Sequence, residues 1–344
     1  MIKNPLNNSM ESIVAALVTP GQGILAADES LPTIGKRFTA HQIASTEASR
    51  QAYRELLFTT PGLNEFISGV ILFDETMRQR TSSGTPLPEI LTRHGMVTGI
   101  KVDAGTVALA GFPEEKITQG LDGLRERLVA YRTLGARFTK WRAVLAIGDQ
   151  LPTTGAIRAN AHTLARFAAL SQEAGLVPIV EPEVLLDGNH TLARCEEVLA
   201  ETLQTVFAAL LEQRVDLKTM LLKSSMVLPG KECPRREDLA TVAAATIHCL
   251  RRTVPAAVPG IVFLSGGQSD VAATECLDAI CKTRDLQWNL SFSYGRALQD
   301  AALKTWQGLP ANVAKAQAAL LHRARCNGLA VQGKYSIAAE SAAA

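Results

Sequence analysis

No apolar run in this 344-residue chain approaches the roughly 18 residues that cross a bilayer, which excludes a spanning helix. The first twenty residues hold no basic region followed by an apolar block, so no secretory signal is expected and the chain reads as cytoplasmic. Long Lys/Arg runs are also missing, and 35 basic against 33 acidic residues leave a formal net charge of +2. That balance argues against a polyanion-binding surface, so nucleic acid is not an expected partner and any anion must be recognised locally. The six cysteines (Cys195, Cys233, Cys249, Cys276, Cys281, Cys326) form no Cys-x-x-Cys pair and no zinc spacing. The six histidines form no His-Glu-x-x-His. No metal ligands are therefore expected, and the cysteines read as reduced thiols.

What is present is a soluble composition, 47% hydrophobic and 20% charged, and a repeated alternation of short apolar runs with helical segments. Eight runs read as strands: Gly23 to Asp28, Glu65 to Asp74, Met96 to Asp103, Ala136 to Leu145, Leu176 to Val184, Thr219 to Leu228, Gly260 to Gly267 and Leu286 to Ser293. Helices are expected over Met10 to Val18, Thr46 to Phe58, Leu121 to Leu134, Asn160 to Ala174, His190 to Gln213, Arg236 to Thr253, Val271 to Cys281, Gly295 to Leu303 and Asn312 to Arg325. Eight such units most simply close into an α/β (β/α)8 barrel. The other candidate, an open doubly wound sheet, would want a Gly-x-Gly-x-x-Gly after a strand, and none follows. A single domain over residues 1–344 is expected, with a core from about 10 to 328 and a small-residue tail, Leu329 to Ala344, loosely ordered.

In such a barrel, side chains at the C-terminal strand ends make the active site. Asp28, Lys101, Lys140, Arg142, Glu181, Glu183, Lys223, Ser265 and Arg296 fall there. Strand alternation puts Lys140 with Arg142 on one face, and Glu181 with Glu183 on one face. A lone lysine between apolar residues, as Lys223 is in Leu-Leu-Lys-Ser-Ser-Met, normally snorkels to water, and an exposed i,i+2 charge pair is ordinary. Gathered in one mouth, these charges supply each other's partners, and a lysine amine held there is a nucleophile for carbonyls. The Gly-bearing turns 264–269 and 291–296 each offer backbone amides near a helix start, with Arg296 adding a guanidinium for phosphate.

At these residues the sequence closely resembles class I fructose-bisphosphate aldolase. The motifs are Gly-Ile-Leu-Ala-Ala-Asp-Glu-Ser (23–30), Ser-Gly-Val-Ile-Leu-Phe-Asp-Glu-Thr (68–76), Gly-Ile-Lys-Val-Asp (99–103), Lys-Trp-Arg-Ala-Val-Leu (140–145), Val-Pro-Ile-Val-Glu-Pro-Glu (177–183), Leu-Ser-Gly-Gly-Gln-Ser (264–269) and Leu-Ser-Phe-Ser-Tyr-Gly-Arg-Ala-Leu-Gln (290–299). The resemblance implies a lyase of glycolysis and gluconeogenesis that cleaves fructose 1,6-bisphosphate through an imine on Lys223, without a metal or other cofactor. It implies Glu181, with Glu183 beside it, as acid/base for dehydration, Asp28 as the carboxylate at the C4 hydroxyl, and Lys140 as the lysine that positions the sugar. Ser265, Gly266 and Arg296 match the C1-phosphate site, and Lys101, Arg142, Ser30 and Arg37 resemble the C6-phosphate region. A homotetramer is implied as well. Another lysine-dependent barrel enzyme, or a non-catalytic scaffold keeping the fold, are the alternatives. The chain departs from the family's usual pattern at Ser224-Ser225 (for Pro-Asn), at Leu31-Pro32-Thr33, at Ala104 (for a lysine) and in its terminal alanines.

Overall fold

The structure, a computed structural model, describes residues 9–341. Among these residues eight parallel strands close a barrel: Gly23–Ala27, Ile67–Leu72, Val97–Lys101, Phe138–Leu145, Val177–Val184, Leu221–Ser224, Gly260–Phe263 and Asn289–Tyr294. Each bonds to its sequence neighbour, and the last closes on the first through Ile24 opposite Ser293. The expected barrel is therefore the observed one, with most strands shorter than expected at one or both ends and the eighth running one residue further, to Tyr294. A short antiparallel ribbon, Thr106–Ala108 with Lys116–Thr118, interrupts the third unit. Its three-residue arms are too short to show a period in the sequence.

Helix boundaries move where side chains cap the backbone. The helix after the sixth strand, expected from Arg236, starts at Leu239, because the Asp238 carboxylate accepts the Thr241 amide at 2.7 Å. The helix expected from Asn160 starts at Thr154, capped by Thr153 through the Ala156 amide at 3.2 Å. The last long helix, Val313–Val331, runs past Arg325.

The tail differs from the loose segment expected after Leu329. Tyr335 is buried, its amide donating to Asp278 Oδ1 at 3.0 Å and its hydroxyl to Glu340 Oε1 at 2.6 Å. A short helix, Ala338–Ser341, follows. Small residues signal weak burial, but one tyrosine and one glutamate suffice to anchor the segment. Residues 342–344, and the first eight residues of the stretch read for a signal, lie outside the described residues.

Two apolar layers set the site's position. One lies between the strands and the surrounding helices. The other fills the barrel's N-terminal half, where Ile24, Ala26, Ile71, Val97, Phe138, Val177, Ile179, Leu221 and Val262 meet Ile13, Val14 and Leu17 of the helix Met10–Leu17. Glycine is needed there for space: a Cβ on Gly99 would lie 2.3 Å from the Phe138 ring, and one on Gly69 2.6 Å from Leu17. The plug seals one end, so polar side chains on the same strands can only gather at the other.

Candidate active site

Continuing each inward-facing row of side chains past this plug leads from apolar to charged residues. The fourth strand runs Phe138, Lys140, Arg142, and the fifth runs Val177, Ile179, Glu181, Glu183. Register then places Lys101 opposite Lys140, and Arg142 opposite Glu181. Asp28 follows the first strand directly, and Lys223 lies on the sixth.

These side chains form one connected row of charges. Lys140 Nζ lies 2.7 Å from Asp28 Oδ2 and 3.1 Å from Glu181 Oε2, and Lys223 Nζ lies 3.0 Å from Glu181 Oε1. All four are buried, none more than 8% exposed. Burial opposes the charge on Asp28, but the ammonium groups of Lys140 and Lys223 outweigh it and hold the carboxyl at about 2. Burial likewise opposes the charge on Glu181, and Lys140, Lys223 and Arg142 together keep its carboxyl below the usual range. Lys140 is desolvated too, yet Asp28 and Glu181 on either side push it above the ordinary lysine range. Lys140 therefore stays cationic, while Lys223 has a single carboxylate neighbour within ion-pair distance.

Lys101 donates to the Asp103 carbonyl at 2.9 Å and pairs with its carboxylate at 2.5 Å. Arg142 pairs with Glu183. A Cβ on Gly266 would stand 3.9 Å from Glu183 Oε1, so the 264–269 turn faces this carboxylate. In that turn Ser265 is buried and Gly266 and Gly267 hold φ of +31° and +85°, which favour glycine. Arg296 opens the helix Arg296–Trp306 as an exposed residue. Ser30 is the residue before the helix Leu31–Thr39, its hydroxyl 3.0 Å from Thr33 Oγ1. Pro32 fits there because the first helical turn needs no amide donor at that point. Arg37 is turned to Glu29, Gln299 and Asp300.

The Ser224-Ser225 pair has a structural role. Ser225 Oγ accepts the Val184 amide at 3.1 Å and donates to the Val184 carbonyl at 3.0 Å, tying the exit of the sixth strand to the end of the fifth. It thereby fixes the relative height of Lys223 and Glu181.

Sequence reasoning missed several partners. Glu29 bridges Arg37 and Arg54, the latter at 2.6 Å, and the two guanidiniums outweigh burial to hold its carboxyl low. Arg54 sits on the buried face of the helix Glu47–Phe58, where a charged residue on an otherwise apolar stripe was the available signal. Asp103 orients Lys101, and Lys231 pairs with Asp187 at 2.8 Å and packs on the Gly267 turn. Among the described residues no helix is long and apolar enough to cross a membrane.

Comparison with known proteins covers nearly the whole chain. The family model described as fructose-bisphosphate aldolase class-I matches residues 9–344. A relative from Xanthomonas axonopodis pv. citri, described as a probable fructose-bisphosphate aldolase class 1, is 55% identical over 93% of this chain and 96% of its own. The cytosolic fructose-bisphosphate aldolase 4 of Arabidopsis thaliana is 51% identical over 93% of this chain and 82% of its own. The solved structure of fructose-bisphosphate aldolase from Plasmodium falciparum, in complex with TRAP and a small-molecule inhibitor, superposes with a TM-score of 0.94 at 48% identity, covering 97% of both chains.

Proposed function

The chain belongs to the class-I fructose-bisphosphate aldolase family, and we propose that it reversibly cleaves fructose 1,6-bisphosphate into dihydroxyacetone phosphate and glyceraldehyde 3-phosphate through an imine on Lys223. The observation that carries this reading is the buried row Asp28–Lys140–Glu181–Lys223, which puts an amine, a proton carrier and a second carboxylate in one enclosed mouth.

Each group has a task that its surroundings support. Glu181, 3.0 Å away, takes a proton from the Lys223 ammonium. The freed amine attacks the keto carbon and passes a second proton to the carbonyl oxygen, and Glu181 returns its proton to the resulting carbinolamine hydroxyl as water leaves. Glu183 stands beside this step. The iminium then draws the electrons of the C3–C4 bond as the Asp28 carboxylate accepts the C4 hydroxyl proton, and glyceraldehyde 3-phosphate departs. Protonation of the remaining enamine at C3 and hydrolysis of the imine release dihydroxyacetone phosphate and restore Lys223. Because the iminium is the electron sink, the chemistry needs no metal. Lys140, cationic between two carboxylates, fixes both and presents an ammonium to the substrate hydroxyls.

Ser265, Gly266 and Arg296 are assigned to the C1 phosphate, and Lys101, Arg142, Ser30 and Arg37 to the C6 phosphate. Lys101, Arg142 and Arg37 already have carboxylate partners, so phosphate binding at that end exchanges one anion for another. The cytosolic designation of plant relatives supports a cytoplasmic location, and the family resemblance supports a homotetramer. A scaffold role is disfavoured because four buried ionisable groups cost stability that a scaffold has no reason to sustain.

Borohydride reduction in the presence of dihydroxyacetone phosphate tests the assignment. The expected result is one covalent adduct, mapped by peptide mass spectrometry to Lys223, with activity lost in parallel. An adduct confined to Lys140 or Lys101 overturns it.

A further inference from the structure

We propose that His322, Cys326 and Glu340 form a Zn2+ site that clasps the C-terminal segment onto the last long helix. This goes beyond the aldol reaction and takes no part in it.

His322 and Cys326 lie one turn apart on the helix Val313–Val331, so their side chains share a face. Glu340 is delivered to that face by the short helix Ala338–Ser341. His322 Nε2 stands 3.7 Å from Cys326 Sγ and 3.5 Å from Glu340 Oε2. All three ligand atoms lie within 4.8 Å of one another. A tetrahedral Zn2+ with bonds of about 2.3 Å to sulfur, 2.0–2.1 Å to nitrogen and 2.0–2.2 Å to oxygen sets ligand-to-ligand edges of about 3.4–3.6 Å. The edges of 3.7 and 3.5 Å lie within about 0.2 Å of those of such a site. Among the described residues no other three His, Cys, Asp or Glu side chains meet in this way.

The donor set selects the metal. One imidazole, one thiolate and one carboxylate suit a borderline-soft ion, whereas Mg2+ and Ca2+ want oxygen throughout. Charge balance fits too: on binding, Cys326 gives its proton to water, and a thiolate plus a carboxylate neutralise Zn2+. The buried Arg323, which pairs with Glu340, thus faces a neutral centre rather than a cation. Arg323 also retains the Thr274 hydroxyl at 2.6 Å and the Asp270 carbonyl at 3.2 Å when the metal shares the Glu340 oxygen. The Tyr335 hydroxyl holds the other Glu340 oxygen at 2.6 Å, the kind of outer support that orients a ligating carboxylate. Cys326 is buried while His322 and Glu340 are half-buried, leaving an open side for a water as fourth ligand.

The test uses the full chain with Zn2+ and with Co2+ as its spectroscopic substitute. The expected result is one equivalent of metal bound, with a thiolate-to-Co2+ charge-transfer band that disappears in Cys326→Ser. Affinity should fall about tenfold or more in Tyr335→Phe, which removes only the supporting hydroxyl. Zn2+ should also slow proteolysis at the exposed Ser336–Ile337 bond by about tenfold, with circular dichroism showing unchanged folding of each variant. Failure of the wild-type protein to bind Zn2+ stoichiometrically, persistence of the band in Cys326→Ser, or a cleavage rate indifferent to Zn2+ overturns the proposal.

Discussion

The two halves of the barrel interior are lined by the same strands and yet obey opposite rules. At the N-terminal end Phe138, Ile179, Leu221 and Val262 cluster with Leu17, and the buried Ser68 hydroxyl there is satisfied by the Leu17 carbonyl at 2.9 Å. One or two pleats further along, Lys140, Glu181 and Lys223 replace them on the same faces. The first half stabilises by removing apolar surface from water and by dispersion contacts in a dense interior. The second half spends stability, since each buried charge is desolvated and only its neighbours recover the loss. The plug thus provides the rigidity that keeps the charged row in place. The lesson is a division of labour along each strand: packing below, chemistry above.

The sharpest way to break this comparison is at the upper half. Lys223→Met keeps the side chain's length and apolar stem but deletes the amine. Steady-state cleavage of fructose 1,6-bisphosphate should fall on the order of 10⁶-fold, the scale on which removal of a covalent nucleophile acts. Thermal stability should change far less than activity, because Glu181 loses one partner but keeps Lys140. Retained turnover would place the chemistry elsewhere.

The mirror experiment is Phe138→Ala in the plug. Stability measured by urea unfolding should drop by about 3–5 kcal/mol, because Phe138 is fully buried and Gly69 and Gly99 cannot collapse into the space. Turnover at low temperature should persist within a few fold. An equal loss of activity and stability would show that the two halves are not separable.

At the rim the effect should be smaller. Arg296→Ala removes an exposed guanidinium, and binding of ketohexose mono- and bisphosphates sharing the C1 phosphate should weaken alike, by about 1.5–3 kcal/mol. Inhibition constants for the two classes are the measurement. A loss confined to the bisphosphate would assign Arg296 to the opposite phosphate.

The smallest effect concerns pH. The Asp28 carboxyl is held at about 2, below its ordinary 3.8, so its ionised form stabilises the folded state. That contribution is complete above about pH 4 and is lost as pH falls through 2. The difference in unfolding free energy between wild type and Asp28→Asn should therefore shrink as pH drops over this window. A difference that stays constant down to pH 2 would mean that the lysines do not hold Asp28 ionised.

Much of the barrel was legible because hydrophobic runs, glycine stops and helical stripes repeat with two strict periods, 2.0 and 3.6. The site was legible for the same reason: charges inside an apolar strand, such as Lys140 and Lys223, stand out against their neighbours. Arg54 and Lys231 were less so: the one signal for the arginine is its place on an otherwise apolar helical stripe, and a lysine after a Pro-Gly turn looks like a surface residue. The 106–108 and 116–118 ribbon escaped because its arms are shorter than any readable period.

By itself the sequence determined the number of barrel strands, the sidedness of each and the family, since these follow from local alternation and from long matching motifs. Only the tertiary structure decided which cation meets which carboxylate. Lys140 meets Glu181 on the neighbouring fifth strand, and it meets Asp28 because closure of the barrel brings the end of the first strand over to the fourth, a distance about which chain order says nothing. The same holds for the tail. Its small residues promise disorder, yet Glu340 reaches Arg323 and His322 because burial of Tyr335 against Asp278 pins the segment to the helix, a contact between residues 57 positions apart.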